Sequence, residues 1–446
     1  MLTILLHNEL SLASEFTITH SLTLFQRVSS RPVTTFYGVD GIFKIRCSQG
    51  FRVSSYLKGT APGVEHQRSI SGSPDLELSC IYPDTSIVVE LQHQIGGISK
   101  REKYAFVQMA LLYTTALGKR RLRVCTMAIQ VSASPKEIFR SADFSSITCL
   151  WTKKAYLKTV QSKEEVLSPI RFTRMQLVND TIELLANYRK HNTSNLPSGQ
   201  LILPDKLQLL PLFVLGFIKS MTLRSSLPPR STGIRTNHAN PTGDERAYAL
   251  YHSAASSPVT AMLLAHPNIF PLLTLREGGP GDWVVPQIPP DVRTDTEAAS
   301  YHSCIAMPEP LAPSIASLED DGVYLLDNGL TQFVYTGPRV SPAVKTELFE
   351  SDEQLGCVVS KTSDLGKAVR RVIWQCRLYS SVGEATVRPT SAAEIVVFGR
   401  RLADGEKDPM EESIMGLMVN DSMNGEKDYM QFLVDLHWRV REKIDG

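Results

Sequence analysis

Paired cysteines are missing from this chain. Its 446 residues hold seven, at positions 47, 80, 125, 149, 304, 357 and 376, with no Cys-x-x-Cys spacing. An odd and scattered set argues for reduced thiols rather than a disulfide framework, and it does not supply the two cysteine pairs that close a zinc ribbon. Catalytic signatures are also missing: there is no Gly-x-Ser-x-Gly elbow, no His-Glu-x-x-His helix and no Walker loop. Gly278-Gly-Pro-Gly281 lacks the Lys-Ser/Thr that a phosphate cradle needs, so it reads as linker. His252 and His266 read as helix-end residues in packed corners, and Glu90 and Asp84 as solvated rim. We therefore assign no catalytic residue, no metal ligand and no cofactor, and expect no enzyme. Apolar runs are short. Residues 1–6 are too few for a signal peptide, and 207–218 is too short to cross a bilayer and contains Pro211. An excess of charge of one sign is absent too: Lys+Arg 47 against Asp+Glu 46 gives a net +1, which excludes a whole-molecule field toward nucleic acid or anionic lipid. Any attraction to a membrane must come from a local patch.

What is present fits folded protein. The 42% hydrophobic content and the length suit about three domains. Short β-branched or alternating runs at 42–47, 76–81, 86–91 and 120–129, separated by Gly, Pro and Ser turns, predict a sandwich. From 134 to about 272 the period becomes helical; over 173–188, Met175, Val178, Ile182, Leu185 and Ala186 mark an amphipathic face. Residues 225–241 read as a surface loop and 278–313 as a linker rich in Pro and Gly. Beyond it, 322–335 reads as a strand pair around Asp327-Asn-Gly329, 365–376 as a helix, 393–398 as a buried strand and 410–418 as a helix. A closing helix places Tyr429, Phe432, Leu433, Leu436, Val440 and Ile444 on one stripe.

One string combines a turn, an apolar helix and two placed prolines: Gly199-Gln-Leu-Ile-Leu-Pro-Asp-Lys-Leu-Gln-Leu-Leu-Pro-Leu-Phe-Val-Leu-Gly-Phe-Ile-Lys-Ser220. It resembles the helical domain of the cargo-adaptor subunit of the COPII vesicle coat, the Sec twenty-four family. Asp244-Glu-Arg-Ala-Tyr248, His266-Pro-Asn268, Val285-Pro-Gln287 and the string Asp321-Gly-Val-Tyr-Leu-Leu-Asp-Asn-Gly-Leu330 follow in the family's order. Upstream, Lys44-Ile-Arg-Cys47, Ala110-Leu-Leu-Tyr-Thr114 and Gly118-Lys-Arg-Arg-Leu-Arg-Val124 resemble its Arg-x-Arg-Cys, Ala-Leu-Leu-Tyr-Thr and Gly-x-Arg-Arg-x-Arg-Val strings. Tyr335 stands where the family often has Trp. The resemblance implies a multidomain α+β protein: a trunk remnant at 1–28, a partial β-sandwich at 29–133, an all-helical domain at 134–277, a linker at 278–313 and a gelsolin-like α/β domain at 314–446. No zinc ribbon and almost no trunk are seen, so the expectation is an N-terminally truncated adaptor.

The resemblance further implies a non-enzymatic coat component that selects cargo for transport from the endoplasmic reticulum to the Golgi. Its partners would be the companion COPII subunit that activates the Sar GTPase, that GTPase, the outer-cage proteins and the cytosolic tails of cargo. It would act as a peripheral protein on the cytosolic face of the endoplasmic reticulum and on COPII-coated vesicles, without nucleic acid. Lys44 and Arg46 are the candidate cargo-binding residues. In a strand, residues two apart share a face about 7 Å apart, and in the family this strand forms part of a pocket for acidic export signals. Here the first Arg is Lys44, a point charge rather than a planar fork. The densest basic cluster, Lys119-Arg-Arg121 with Arg123, reads first as a turn and exposed strand face, and second as a contact for anionic lipid headgroups or acidic peptides. The alternative from another class is a gelsolin-like actin- or calcium-binding cytoskeletal protein.

Overall fold

A computed structural model describes residues 2–5, 38–58, 75–81, 85–94, 102–161, 168–192, 201–224, 243–255, 258–276, 306–329, 332–352, 356–380, 395–399, 414–422 and 425–445. The 225–241 loop and most of the 278–313 linker lie outside them.

Among the described residues, seven strands build the first unit: β1 (Leu2–Leu5), β2 (Gly38–Cys47), β3 (Phe51–Lys58), β4 (Asp75–Ile81), β5 (Ile87–His93), β6 (Tyr104–Thr115) and β7 (Arg120–Gln130). They form two sheets, ordered β4-β2-β6-β7 and β1-β5-β3, with antiparallel neighbours throughout. Alternation sets the inner faces. Phe43, Ile45, Leu78, Val107, Met109 and Leu111 from one sheet meet Tyr56, Ile87, Val89 and Leu91 from the other in a single core. Val88 and Leu57 face the opposite way and enter the neighbouring helical core. The smaller sheet is thus covered on both sides, and its Glu90 is not the solvated rim expected from sequence. Glu90 lies only 13% exposed between Ser55 Oγ, which donates at 2.6 Å, and Lys154 Nζ at 2.6 Å. Asp84 lies outside the described residues.

The helical unit contains α1 (Pro135–Arg140), α2 (Phe144–Gln161), α3 (Pro169–Asn192), α4 (Leu210–Lys219), α5 (Gly243–Ala255) and α6 (Pro258–Ala265). Pro204 precedes a single 3-10 turn over Asp205–Leu207, and Pro211 occupies the first turn of α4, where its missing N–H has no intrahelical partner to lose. On α3 the buried face holds Leu177, Thr181, Ile182, Leu185 and Ala186, whereas Met175 is exposed. The expected face was therefore one residue too wide, because Thr173 and Thr181 turn inward with their hydroxyls bonded: Thr173 to Thr159, and Thr181 to the Leu177 carbonyl. α4 has no solvent side: nearly every residue from Leu210 to Lys219 is buried. At Gly216 an added Cβ would sit 2.0 Å from the Ala265 carbonyl oxygen, so only glycine allows α4 and α6 to approach this closely.

Helix α6 stops at His266-Pro267, and Asn268–Pro271 is a strand, β8, rather than part of the helical region. Proline disfavours helix in the residue before it, which accounts for the stop. β8 joins β9 (Val323–Asp327), β10 (Gln332–Thr336) and β13 (Ile395–Gly399) in a sheet ordered β13-β10-β9-β8, with β10 and β13 parallel. Gly329, at φ 81, turns the β9–β10 hairpin. A small pair, β11 (Phe349–Asp352) with β12 (Gly356–Val359), lies beside it. One face packs on α7 (Pro342–Leu348) and α8 (Asp364–Ser380) through Val344, Leu365, Val369, Val372 and Cys376. The other holds Ile269, Tyr324, Phe333, Tyr335, Ile414 and Met418. Of the expected 410–418 helix, 410–413 lie outside the described residues, and helix persists only at 414–415 before turns.

The closing helix, α9 (Tyr429–Asp445), returns to the helical unit, where Phe432, Leu436 and Val440 enter the same core as α3 and α4. Ile444, expected on that stripe, is exposed because the helix outruns the core. The approach to α9 is fixed by cations from the helical unit. Lys219 Nζ donates to the carbonyls of Val419 at 2.6 Å and Asp421 at 2.7 Å, while Arg174 bonds Glu426 at 2.5 Å and the carbonyls of Ile218 and Leu223. Arg246, from the Asp244-Glu-Arg-Ala-Tyr248 string, donates to the Arg224 carbonyl.

The burial of α4 can be tested in two ways. Phe213 is 3% exposed between Phe144 and Phe217, so Phe213→Ala should cost about 3–5 kcal/mol in urea unfolding. Burial pulls the Lys219 pKa from 10.5 down to about 8, partly offset by Glu426, Asp421 and Asp428. Between pH 8 and 10.5 the unfolded chain then binds the extra proton, so this group's contribution to stability rises with pH across that window and is least favourable below it. Relative to a Lys219→Met variant, the native protein should gain on the order of 3 kcal/mol from pH 8 to 10.5. A flat difference would show that the ammonium is not desolvated.

Candidate functional site

Coverage of the smaller sheet leaves the outer face of β4-β2-β6-β7 as the broad open surface of the sandwich among the described residues. On β2, Phe43 and Ile45 point inward, whereas Ile42, Lys44 and Arg46 point out. The two expected site residues therefore share one face, but they differ in state. Lys44 stands opposite Asp75 on β4, with Nζ 2.8 Å from Oδ1 and 3.2 Å from Oδ2, and is half-buried. Arg46 is exposed opposite Gln108 of β6 and has no ion-pair partner among the described residues. The register sets Ile42 beside Leu112 and Leu112 beside Leu122, and Lys44 beside Ala110 and Ala110 beside Val124. A guanidinium thus stands at one end of an aliphatic surface. That arrangement can hold a carboxylate next to an apolar side chain.

Sequence reading missed Asp75. Its place opposite Lys44 depends on the pairing of β2 with β4, which are not neighbours in the chain. The basic cluster also divides. Gly118, at φ 75, turns the β6–β7 hairpin. Arg120 Nη1 then donates to Asp40 Oδ2 at 2.5 Å, to the Asp40 carbonyl and to Thr114 Oγ1. Asp40 reaches it from a bulge at φ 51, a conformation that Asp tolerates better than most residues. Arg121 and Arg123 lie on the opposite face of β7.

The remaining candidates are not brought together. Cys47, Cys80, Cys125, Cys149 and Cys376 form no disulfide. His266 is kept neutral by burial and faces Asn420. Among the described residues no three His, Cys, Asp or Glu side chains are placed to hold a metal ion, and no helix is long and apolar enough to cross a membrane.

Sequence models agree with this architecture in the same order. The Sec23/Sec24 beta-sandwich domain matches residues 38–132, the Sec23/Sec24 helical domain 143–263 and the Gelsolin repeat 305–355. The chain belongs to the Sec23/Sec24 family. It is Sec24-like: it is 26% identical over 421 residues to "Protein transport protein Sec24C" of Homo sapiens, covering 93% of this chain and 32% of that one. It is also 26% identical over 415 residues to "Protein transport protein SEC24 B" of Arabidopsis thaliana, with 93% and 32% covered. The chain therefore spans about a third of the length of these curated relatives. The crystal structure of "the human COPII-coat protein Sec24c" shares the fold, at TM-score 0.67 and 23% identity, over 94% of this chain and 46% of that one. The family is one of coat proteins, not enzymes.

The Lys44–Asp75 pair is about one-third exposed on each side, so solvent screens it and its loss should matter little to the fold. Lys44→Met is expected to shift stability by less than about 1 kcal/mol in urea unfolding. A larger loss would identify the pair as structural.

Proposed function

We propose that this chain works as a COPII coat component that selects cargo leaving the endoplasmic reticulum by binding acidic sorting signals on cytosolic tails. The observation that carries the reading is the ordered match of sandwich, helical and gelsolin segments to a coat family. Its partners would be the companion coat subunit that activates the Sar GTPase, the GTPase itself, the outer cage and cargo tails, at the cytosolic face of the membrane. The binding site would be the outer face of the sandwich, with Arg46 as the main cation and Lys44 beside it. Because Asp75 already neutralises Lys44, Arg46 would carry most of the attraction. A gelsolin segment also supports an actin- or calcium-binding reading, but a shared fold does not carry that activity. Co-sedimentation with actin filaments would favour it.

The test is binding of a labelled di-acidic tail peptide to the full chain by fluorescence anisotropy. Arg46→Glu should weaken binding at least about tenfold and Lys44→Met much less, with both thermal transitions unchanged and wild-type affinity falling as salt rises. Equal affinity in the wild type and Arg46→Glu would overturn the assignment.

A further inference from the structure

We propose that the open edge of β7 binds an extended segment of alternating acidic and apolar residues, adding it to the sheet as a further strand. β7 ends the order β4-β2-β6-β7, so one side of its backbone has no strand neighbour among the described residues. Bonds from Thr115 N to the Lys119 carbonyl and from Val131 N to the Lys103 carbonyl frame the β6–β7 ladder. Bonded and non-bonded pairs alternate in an antiparallel ladder. Arg121, Arg123, Cys125, Met127 and Ile129 therefore direct their backbone groups to β6, while Leu122, Val124, Thr126 and Ala128 direct theirs outward. These outward N–H and C=O groups are the template that strand addition uses.

The side chains define the ligand. Leu122 and Val124, 64% and 52% exposed, stand on the outer face and would meet apolar residues of an added strand. Arg121 and Arg123 stand on the other face, which Cys125 and Ile129 share where they pack toward the sandwich core. Neither Arg121 nor Arg123 has an ion-pair partner among the described residues, and Arg123 Nη1 is buried with no hydrogen-bond partner there. A buried guanidinium donor without an acceptor is costly. A carboxylate at the ligand positions facing Arg121 and Arg123 would satisfy it. Alternation along a strand then fixes the pattern: acidic against Arg121 and Arg123, apolar against Leu122 and Val124.

Edge protection and self-association account for less of this surface. Cations on an edge strand discourage aggregation, but that device needs neither an exposed aliphatic face nor an unsatisfied buried donor. A second copy pairing edge to edge would bring Arg121 and Arg123 no acceptor side chain of opposite charge, since β7 contains no carboxylate. This edge is two strands from β2, about 10 Å from Lys44 and Arg46; it shares the aliphatic Leu122 and Val124 with the face described above but relies on different cations and on the β7 backbone.

The test uses the full chain and a labelled peptide with a Glu-Val-Glu-Val-Glu core, against a matched peptide with Lys for Glu. The acidic peptide should bind saturably and at least about tenfold more tightly than its Lys counterpart. Arg121→Glu combined with Arg123→Glu should abolish binding. Val124→Pro, which removes an outward N–H that β6 does not use, should weaken it about fivefold or more. All of these comparisons are made in an Arg46→Glu chain, which disables the proposed cargo site, and the acidic peptide should still bind there. The proposal is overturned if the Arg46→Glu chain does not bind, or if its binding survives both edge variants. It is equally overturned if phosphatidylserine vesicles, rather than the peptide, bind through Arg121 and Arg123, or if sedimentation shows a dimer that Val124→Pro dissolves.

Discussion

Helix α4 has nowhere to put a polar group. It is surrounded by α2, α3, α6 and α9, so the carbonyls at its C-terminal end and the ammonium of Lys219 must find partners inside the protein. They find them in one arrangement. Arg174 takes the carbonyls of Ile218 and Leu223, and Arg224 takes that of Lys219. Lys219 reaches across to Val419 and Asp421 in the segment that leads to α9. The last helix of the chain is thereby bound to the middle of the helical unit. Gly216 sets the spacing that permits this, because any side chain there would strike the α6 carbonyl at Ala265.

Burial of the smaller sheet positions the proposed recognition face in a similar way. Covering β3 and β5 with α2 occupies both faces of that sheet, and Glu90, which would otherwise be solvent-facing, is held by Lys154 and Ser55. Among the described residues, the outer face of the larger sheet and the edge of β7 have no neighbouring element laid over them. The cations there fall into two groups with different states. Lys44 and Arg120 are satisfied by Asp75 and Asp40. Arg46, Arg121 and Arg123 have no ion-pair partner among the described residues, and these are the side chains able to meet an incoming carboxylate.

Local pattern carried much of this. The inward Phe43 and Ile45 against outward Lys44 and Arg46 follow from a period of two, and the burial of α4 follows from an apolar run entered through Pro204 and Pro211. What local pattern does not contain is which elements meet. Asp75 neutralises Lys44 only because β4 pairs with β2 in that register. Glu90 reads as exposed unless α2 is known to cover its sheet. Asn268–Pro271 becomes a strand because β9 is there to receive it. Met175 fits an apolar period, but hydroxyls bonded within the helical unit let Thr173 and Thr181 take the buried positions instead.

The central structural claim is that α9 and α4 are parts of one cooperative core, although more than two hundred residues separate them in sequence. Native-state hydrogen exchange followed by mass spectrometry tests this directly, because amides opening only with the whole core report the same free energy. The account predicts that central amides of Leu210–Lys219 and of Tyr429–Asp445 exchange at one common, slowest rate class across denaturant concentrations. If the α9 amides opened at substantially lower free energy while α4 stayed protected, the closing helix would be a separable appendage and the account would be wrong.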